Sequence, residues 1–230
     1  MNHTRKTLEP RLMELLRGAR GRSGAQLALA QVETLAVAPV AGANFGLAML
    51  AGRMVELSSD GATGASMSIA IGIVAEAHAV GEPAAWIRTG DGVFYPPDAV
   101  EAGVDLAALV VVRVTDARSG GRAADQLMRS GGFGAVVLDL GDGAAAARGI
   151  TPALLARLHA LAERHRCALI CLTDKKAGAP SLGTGVSLRA ETRLVRRDGT
   201  LGVEVNALKD RRGAPGWSFR EVRRGPAGMR

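Results

Sequence analysis

Short runs of apolar residues alternate along the chain with longer segments in which apolar residues recur at helical spacing. The short runs predict five strands, which are Arg53–Leu57, Ala84–Arg88, Leu109–Val114, Gly134–Leu140 and Cys167–Thr173. The segments between them predict the helices Ala65–Val80, Pro97–Ala102, Ala123–Arg129 and Pro152–His165. Strands that alternate with helices indicate an α/β fold, in which helices cover both faces of a parallel sheet. The continuous apolar run Leu109–Val114 is typical of a strand that is buried on both faces.

The pattern changes after Asp174. Two alternating runs, Val186–Arg196 and Leu201–Leu208, flank Asp198-Gly199, and an Asp-Gly pair between such runs predicts a hairpin. We therefore expect antiparallel strands at the end of the sheet. The last segment, 209–230, is rich in Gly, Pro and Arg and predicts a flexible basic tail.

The N-terminal part of the chain predicts helices rather than strands. Apolar residues at helical spacing predict a helix over Leu8–Leu16, and Ala25–Leu35 predicts a second one. Gly18–Gly24, between them, has the composition of a flexible basic linker. The expected organisation is a basic N-terminal segment at 1–24, a core at 25–208 and the tail at 209–230.

Composition narrows the class of protein. Of the 230 residues, 47% are apolar and 3% are aromatic. The apolar fraction is too high for a disordered chain. No apolar run reaches the ~18 residues that a membrane-spanning helix needs. The apolar stretch of a secretory signal does not follow Arg5 and Lys6. We therefore expect a cytoplasmic protein without membrane attachment.

The net charge of +7, from 29 Lys and Arg against 22 Asp and Glu, is concentrated at the two ends. Residues 1–22 carry a net +4 and residues 189–230 a net +6, whereas residues 23–188 carry a net −3. Basic ends on a mildly acidic body favour a polyanionic partner such as nucleic acid. The alternative is a general enrichment in Arg, because only four of the 29 basic residues are Lys.

Residues 59–66, SDGATGAS, lie between a predicted strand and a predicted helix, where a phosphate-binding loop would lie. Such a loop has Gly, four residues, Gly, Lys and then Ser or Thr. Gly64 and Ser66 fit this pattern, but Ser59 takes the place of the first glycine and Ala65 that of the lysine. Without the lysine, the loop amides, including that of Gly61, and the helix N-terminus would attract an anion only weakly. The alternative is an ordinary turn.

Three stretches, in order, resemble the core of RecA-type recombinases. Residues 53–66 resemble its phosphate-loop segment, and Tyr95–Leu109, which contains Ala102–Leu106, resembles the segment with its Leu-Gly-Val-Asp run. Leu127–Asp139, with Arg-Ser-Gly and then Ala-Val-Val-Leu-Asp, resembles the segment that ends in its Walker B aspartate, here Asp139. The resemblance implies a RecA-like P-loop NTPase core: an α/β fold with a mostly parallel sheet, an antiparallel hairpin extension and a degenerate phosphate loop.

The chain departs from the recombinases at positions that carry ATPase chemistry. Besides Ala65, Gly90 falls near the place of the catalytic glutamate, with Asp91 as a poor substitute. Thr173-Asp174 stands where the family has a nucleotide-sensing glutamine, and the short loop Lys175–Gly185 stands where recombinases have a long DNA-binding loop. The resemblance therefore implies a protein without catalytic activity and without a cofactor. Residual nucleotide binding would involve Gly61, Gly64, Ser66 and Asp139.

Two stretches, Phe94–Leu106 and Val203–Gly216, most resemble the ImuA family of short RecA-like proteins. Its members are bacterial SOS-induced accessory factors of translesion DNA synthesis. The resemblance implies binding to RecA, to an ImuB-like homologue of Y-family polymerases and indirectly to an error-prone replicative polymerase, with DNA as a further candidate partner. Two alternatives stay open. One is a divergent DNA-dependent ATPase or recombinase paralogue that uses Lys175, Lys176 or a neighbour's lysine, and the other is a SulA-type cell-division inhibitor.

The basic C-terminal part provides the remaining binding candidates. Trp217 and Phe219, interleaved with Arg, could stack on single-stranded bases, dock into a partner's groove or pack on the protein's own sheet edge. The candidate residues for DNA or partner binding are Arg196, Arg197, Lys209, Arg211, Arg212, Trp217, Phe219, Arg220, Arg223 and Arg224.

Cys167 and Cys171 lie four residues apart on a predicted strand, or ~13 Å. This distance is too long for a disulfide, so we expect two buried thiols. The four histidines are scattered, and we expect no metal site.

Overall fold

The structure is a computed structural model that describes residues 45–59, 64–90, 94–141, 149–197 and 200–222. The helices and linker predicted within residues 8–35 lie outside these ranges. The strands are β1 (Met54–Ser59), β2 (Ala84–Thr89), β3 (Leu109–Val114), β4 (Ala135–Asp139), β5 (Ala168–Asp174), β6 (Leu188–Arg197), β7 (Thr200–Asp210) and β8 (Ser218–Val222). The helices are α1 (Leu47–Leu50), α2 (Gly64–Ala79), α3 (Pro96–Glu101), a short 3₁₀ helix (Leu106–Ala108), α4 (Ala117–Arg129) and α5 (Pro152–His165).

The described strands form one sheet in the order β3-β2-β4-β5-β1-β6-β7-β8. Strands β1 to β6 run parallel to one another, whereas β7 is antiparallel to β6 and β8 is antiparallel to β7. This sheet confirms the predicted α/β class with antiparallel strands at one end, and it is consistent with a Rossmann-like or RecA-like core. The predicted hairpin is confirmed by the pairing of β6 with β7, although Asp198 and Gly199 lie outside the described ranges.

Each face of the sheet carries its own apolar core, because successive side chains along a strand point to opposite faces. On one face, α2 packs over a core that includes Leu57, Trp86 and Ile170. On the other face, α4 and α5 pack over a core that includes Leu138 and Leu169. Since β1, β2, β4 and β5 are parallel, their carboxyl ends meet at one edge of the sheet, where the predicted nucleotide residues lie.

Helix α4 begins at Ala117, earlier than the predicted start at Ala123. Asp116 caps it by accepting a hydrogen bond from the Ser119 amide at 2.8 Å, and this hydrogen bond lowers the pKa of Asp116. Gly120 and Gly121 are poor helix formers, but they lie where the helix touches the core. A Cβ on Gly120 would come within 2.8 Å of a Thr89 side-chain carbon. The glycines therefore permit close packing instead of ending the helix.

Strand β3 lies at one edge of the sheet, so the prediction that Leu109–Val114 is buried on both faces is wrong. Val110 and Val111, which point to opposite faces, are 42% and 43% exposed. A run of β-branched residues predicts a strand, but it does not reveal whether the strand has one neighbour or two.

The segment predicted to be a flexible tail contains a strand, which corrects the prediction for residues 209–222. Strand β7 continues to Asp210, so the predicted boundary after residue 208 falls inside it. Strand β8 then pairs with β7 and places Phe219 opposite Val205. The Gly and Pro residues at 213–216 belong to the turn between these strands, where such residues are common. Residues 223–230 lie outside the described ranges.

Candidate functional site

The predicted phosphate loop leads from β1 into α2 at the carboxyl edge of the sheet. The structure describes both flanks of this loop but not residues 60–63, so Gly61 lies outside the described ranges. Gly64 is the first residue of α2, and the side chains of Ala65 and Ser66 are fully buried. Ala65 packs in the apolar core beneath α2. A small core residue therefore fills the position of the phosphate-loop lysine.

Asp139, the last residue of β4, forms an ion pair with Arg88 of β2. The two residues lie opposite each other in the register of these parallel strands, and their side chains are 5% and 14% exposed. The ion pair uses the oxygen Oδ2, and Oδ1 accepts a hydrogen bond from the Gly141 amide at 3.1 Å. Both oxygens of this carboxylate therefore have partners within the chain, and its charge is compensated.

Arg88 is a site residue that the sequence analysis missed. It is the one charged residue in the strand AAWIRT, and a lone cation in an apolar strand is the signal that could have drawn attention to it. Arg88 and Asp139 each stand fifth in their strands, which begin opposite each other at Ala84 and Ala135. The pairing could have been predicted only with the additional knowledge that β2 and β4 are neighbours.

Lys175, one of the lysines considered for a divergent ATPase, is engaged within the chain. Its ammonium pairs with the carboxylate of Glu56 in β1 and donates a hydrogen bond to the carbonyl of Pro180 at 2.8 Å. The Lys175 side chain is 10% exposed, and that of Glu56 is fully buried. Lys176 is exposed. Glu56 is a second residue that the sequence analysis missed, and like Arg88 it is the one charged residue of its strand.

Two of the basic candidates in the C-terminal part have structural contacts. Arg212 donates hydrogen bonds to the carbonyls of Ala51 and Gly52, at 3.1 and 2.9 Å, and so ties the end of β7 to the turn before β1. Lys209 donates a hydrogen bond to the carbonyl of Val186 at 2.7 Å, and burial lowers the pKa of its ammonium. These contacts hold both side chains against the fold, although Arg212 is also exposed.

The other basic candidates lie at the surface or outside the described residues. Arg220 forms an ion pair with Glu204 at 2.6 Å on the outer strand pair. Arg196 and Arg211 are exposed. The side chain of Arg197 and all of Arg223 and Arg224 lie outside the described residues. Of these candidates, Arg196 and Arg211 are exposed and have no ion pair described above, so they are the ones we consider for contact with a polyanion.

Trp217 and Phe219 pack on the protein's own core. The ring of Phe45 lies 5.8 Å from each of them, centroid to centroid, and both rings contact the core beneath α2. The indole of Trp217 donates a hydrogen bond to Asp210 at 3.1 Å. The structure thus agrees with the third of the three interpretations, packing on the protein's own sheet edge, and these half-buried rings are not presented for base stacking.

Asp210 connects this end of the sheet to the start of β1 through a buried ion pair with Arg53. Its carboxylate also accepts a hydrogen bond from the Arg212 amide at 3.0 Å. Burial acts to raise the pKa of Asp210, but the hydrogen bonds from these two arginines and from Trp217 outweigh it, and the pKa lies below its ordinary value. Asp210 therefore stays ionised in the folded protein at neutral pH.

Cys167 and Cys171 are free and buried, which confirms that part of the prediction. Burial raises the pKa of Cys167 to about 12 and also raises the pKa of Cys171. Both thiols are therefore poor nucleophiles at neutral pH. Among the described residues, no group of His, Cys, Asp and Glu side chains could hold a metal ion. None of the described helices is long and apolar enough to cross a membrane.

The chain matches no protein-family model and no curated protein. Its motifs and the geometry at the carboxyl edge of the sheet are therefore the basis for inferring its function.

Proposed function

We propose that this protein is a non-hydrolysing RecA-like accessory protein of SOS-induced translesion DNA synthesis, and that it acts by binding rather than by catalysis. Its partners in this proposal are RecA, an ImuB-like pseudo-polymerase and, through exposed cations such as Arg196 and Arg211, DNA. The resemblance of its motifs to the ImuA family supports the choice of partners. The geometry at Asp139 supports the absence of turnover.

The ion pair between Arg88 and Asp139 is the observation that carries the proposal. In P-loop ATPases the Walker B aspartate helps to hold Mg²⁺, and the phosphate-loop lysine neutralises the phosphates. Here a guanidinium already compensates the carboxylate, and Ala65 brings no charge. A magnesium ion at Asp139 would have to displace an arginine that the sheet register places directly opposite. Both features favour a site that does not turn over nucleotide.

ATP turnover by the full chain, measured with Mg²⁺ and with or without single-stranded DNA, tests this absence of catalysis. We expect the wild-type rate to equal that of the Asp139→Ala variant, with a RecA recombinase as the positive control in the same assay. Turnover clearly above background that Asp139→Ala abolishes would overturn the proposal and favour the divergent ATPase.

Partner binding is tested by a pull-down of the full chain with RecA and with an ImuB-like protein, with and without single-stranded DNA. Truncation before residue 209 is unsuitable, because it would remove Asp210, Trp217 and all of β8 from the fold. We expect both proteins to be retained. Retention of neither would contradict the proposal, and division arrest on overproduction without an effect on mutagenesis would favour the SulA-type alternative.

DNA binding is tested on an Arg196→Ala/Arg211→Ala variant against the control Arg220→Ala, whose arginine already pairs with Glu204. We expect sequence-independent binding that weakens with salt, with a slope of about −0.7 per phosphate contact on single strands. The double variant should flatten this slope by more than the control does. An affinity that is unchanged between low and moderate salt would remove DNA from the list of partners.

A further inference from the structure

We propose that loop 175–185 is held in one docked conformation by the buried ion pair of Glu56 and Lys175, and that this conformation does not depend on a bound nucleotide. The loop connects β5 to β6, and its first residue lies beside the end of β1, where the predicted phosphate loop begins. The inference concerns the loop alone and does not depend on the proposed function.

The carboxylate of Glu56 binds both ends of the loop. Its Oε1 pairs with the Lys175 ammonium and accepts a hydrogen bond from the Thr173 hydroxyl at 3.2 Å. Its Oε2 accepts hydrogen bonds from the Ser181 hydroxyl and the Leu182 amide, each at 2.9 Å. The loop therefore closes over one buried carboxylate at its beginning and again near its end.

Strand β6 holds the middle of the same loop. Arg189 is 6% exposed and donates hydrogen bonds to the carbonyls of Ala179 and Lys176, the latter at 2.9 Å. The Lys175 amide also donates a hydrogen bond to the carbonyl of Ser59, the last residue of β1, at 3.0 Å. The loop is thus attached to β1 and β6 as well as to β5, from which it continues.

These contacts make the docked state difficult to leave. Opening the loop would withdraw the ammonium, a hydroxyl and an amide from a carboxylate that is fully buried in the docked state. It would also remove the carbonyls of Ala179 and Lys176 from the buried guanidinium of Arg189. Every donor and acceptor in this set belongs to the chain itself. The set therefore gives the loop a defined position that needs no additional group.

Hydrogen–deuterium exchange of the full chain, followed on peptides that cover residues 175–185, tests the inference. We expect protected amides in the wild-type loop, including that of Leu182, and equal exchange with and without Mg-ATP. Glu56→Gln should speed exchange in the loop by about tenfold or more, since hydrogen bonds to a charged group are lost. The matched control Glu204→Gln, which removes the charge of a more exposed carboxylate, should leave the loop unchanged.

Three results would overturn the inference: a wild-type loop that exchanges like a free peptide, a tenfold slowing by Mg-ATP, or a Glu56→Gln loop as protected as the wild type.

Because Glu56→Gln leaves a buried cation and could unfold the protein, the double variant Glu56→Met/Lys175→Met provides a second test. Replacing both charges by apolar groups of similar size is often tolerated. We expect this variant to keep the exchange of β2 and β4 at the wild-type rate while loop 175–185 exchanges faster, and a loop that stays protected would contradict the role of the pair. ATP turnover tests the proposed function and hydrogen exchange tests the loop, so the two proposals can fail independently.

Discussion

Glu56 and Asp139 are buried carboxylates of the same sheet, and each pairs with a cation of the same chain. Asp139 pairs with Arg88, which belongs to the neighbouring strand and stands opposite it in register. Glu56 pairs with Lys175, which belongs to a loop. The first pair joins elements that the sheet already holds together, whereas the second joins a loop to the sheet. One pair therefore links two strands that are already hydrogen-bonded to each other, and the other links a loop to a strand.

The two carboxylates also differ in how many groups depend on them. Asp139 accepts from Arg88 and from the Gly141 amide, whereas Glu56 contacts four groups, three of them in the loop. We therefore expect the loss of Glu56 to have the larger effect on stability. The loss of Arg88 should have the larger effect on what the carboxyl edge can bind.

The largest expected effect is that of Glu56→Ala. Removing the carboxylate leaves the Lys175 ammonium buried without its counter-charge, which typically costs about 3–5 kcal/mol of unfolding free energy. Urea unfolding measures the change, and Glu56→Met/Lys175→Met should recover much of it. A loss below about 1 kcal/mol for the single variant would show that the pair contributes little.

A smaller loss is expected for Arg88→Met. The variant leaves Asp139 without its cation, but the Gly141 amide remains and the site is nearer to solvent, so we expect a loss of about 2 kcal/mol. Urea unfolding again measures it, with Arg88→Met/Asp139→Asn as the control that removes both charges. If Arg88→Met costs more than Glu56→Ala, the ranking of the two pairs is wrong.

A third buried carboxylate, Asp210, gives a pH-dependent comparison at the other end of β1. Its pKa in the folded protein lies below the unfolded value of about 3.9. Its contribution is therefore fully present above that value and is lost as the pH falls through the folded pKa. Below about pH 4, we expect the unfolding free energy of the wild type to fall by about 1 kcal/mol more than that of Asp210→Asn. If the urea midpoints of the two proteins fall equally as the pH is lowered, the lowered pKa of Asp210 is contradicted.

The smallest effect concerns thiol reactivity. Cys171 lies opposite Glu56 in the register of β5 and β1, and both thiols have raised pKa values because they are buried. We expect neither thiol to be labelled in the native wild type at pH 8. Glu56→Gln should speed the labelling of Cys171 more than that of Cys167, whereas Arg88→Met should favour neither thiol over the other. Equal acceleration of both thiols by Glu56→Gln would indicate global unfolding instead of a local opening of the loop.

The parallel part of the fold could be predicted because its signals are local. The predicted helix Pro152–His165 has the same bounds as the observed one. Thr151 caps this helix and Pro152 lies in its first turn, and both are local signals of a helix start. The lateral position of β3 could not be predicted, because strand order depends on contacts between residues far apart in sequence. Strand β8 was missed because SFREV is short and mostly polar, and it is stabilised by Phe219 packing on Phe45.

Less of the candidate site could be predicted. The position of Asp139 at the end of a strand follows from its motif, but its partner Arg88 comes from another strand and becomes visible only through the register. Three interpretations stayed open for Trp217 and Phe219 because the sequence does not show the apolar surface that Phe45 completes. Both Arg211 and Arg212 are exposed, and composition alone could not show that the Arg212 side chain binds backbone carbonyls.

The contact between Phe45 and Phe219 has a mechanical consequence. Phe45 precedes α1, whereas Phe219 lies on β8, the last strand of the described sheet. Their ring contact therefore fastens together two segments that are far apart in the sequence. A force that pulls Phe45 away from the sheet would break this contact, and Trp217 would lose a ring neighbour at the same time.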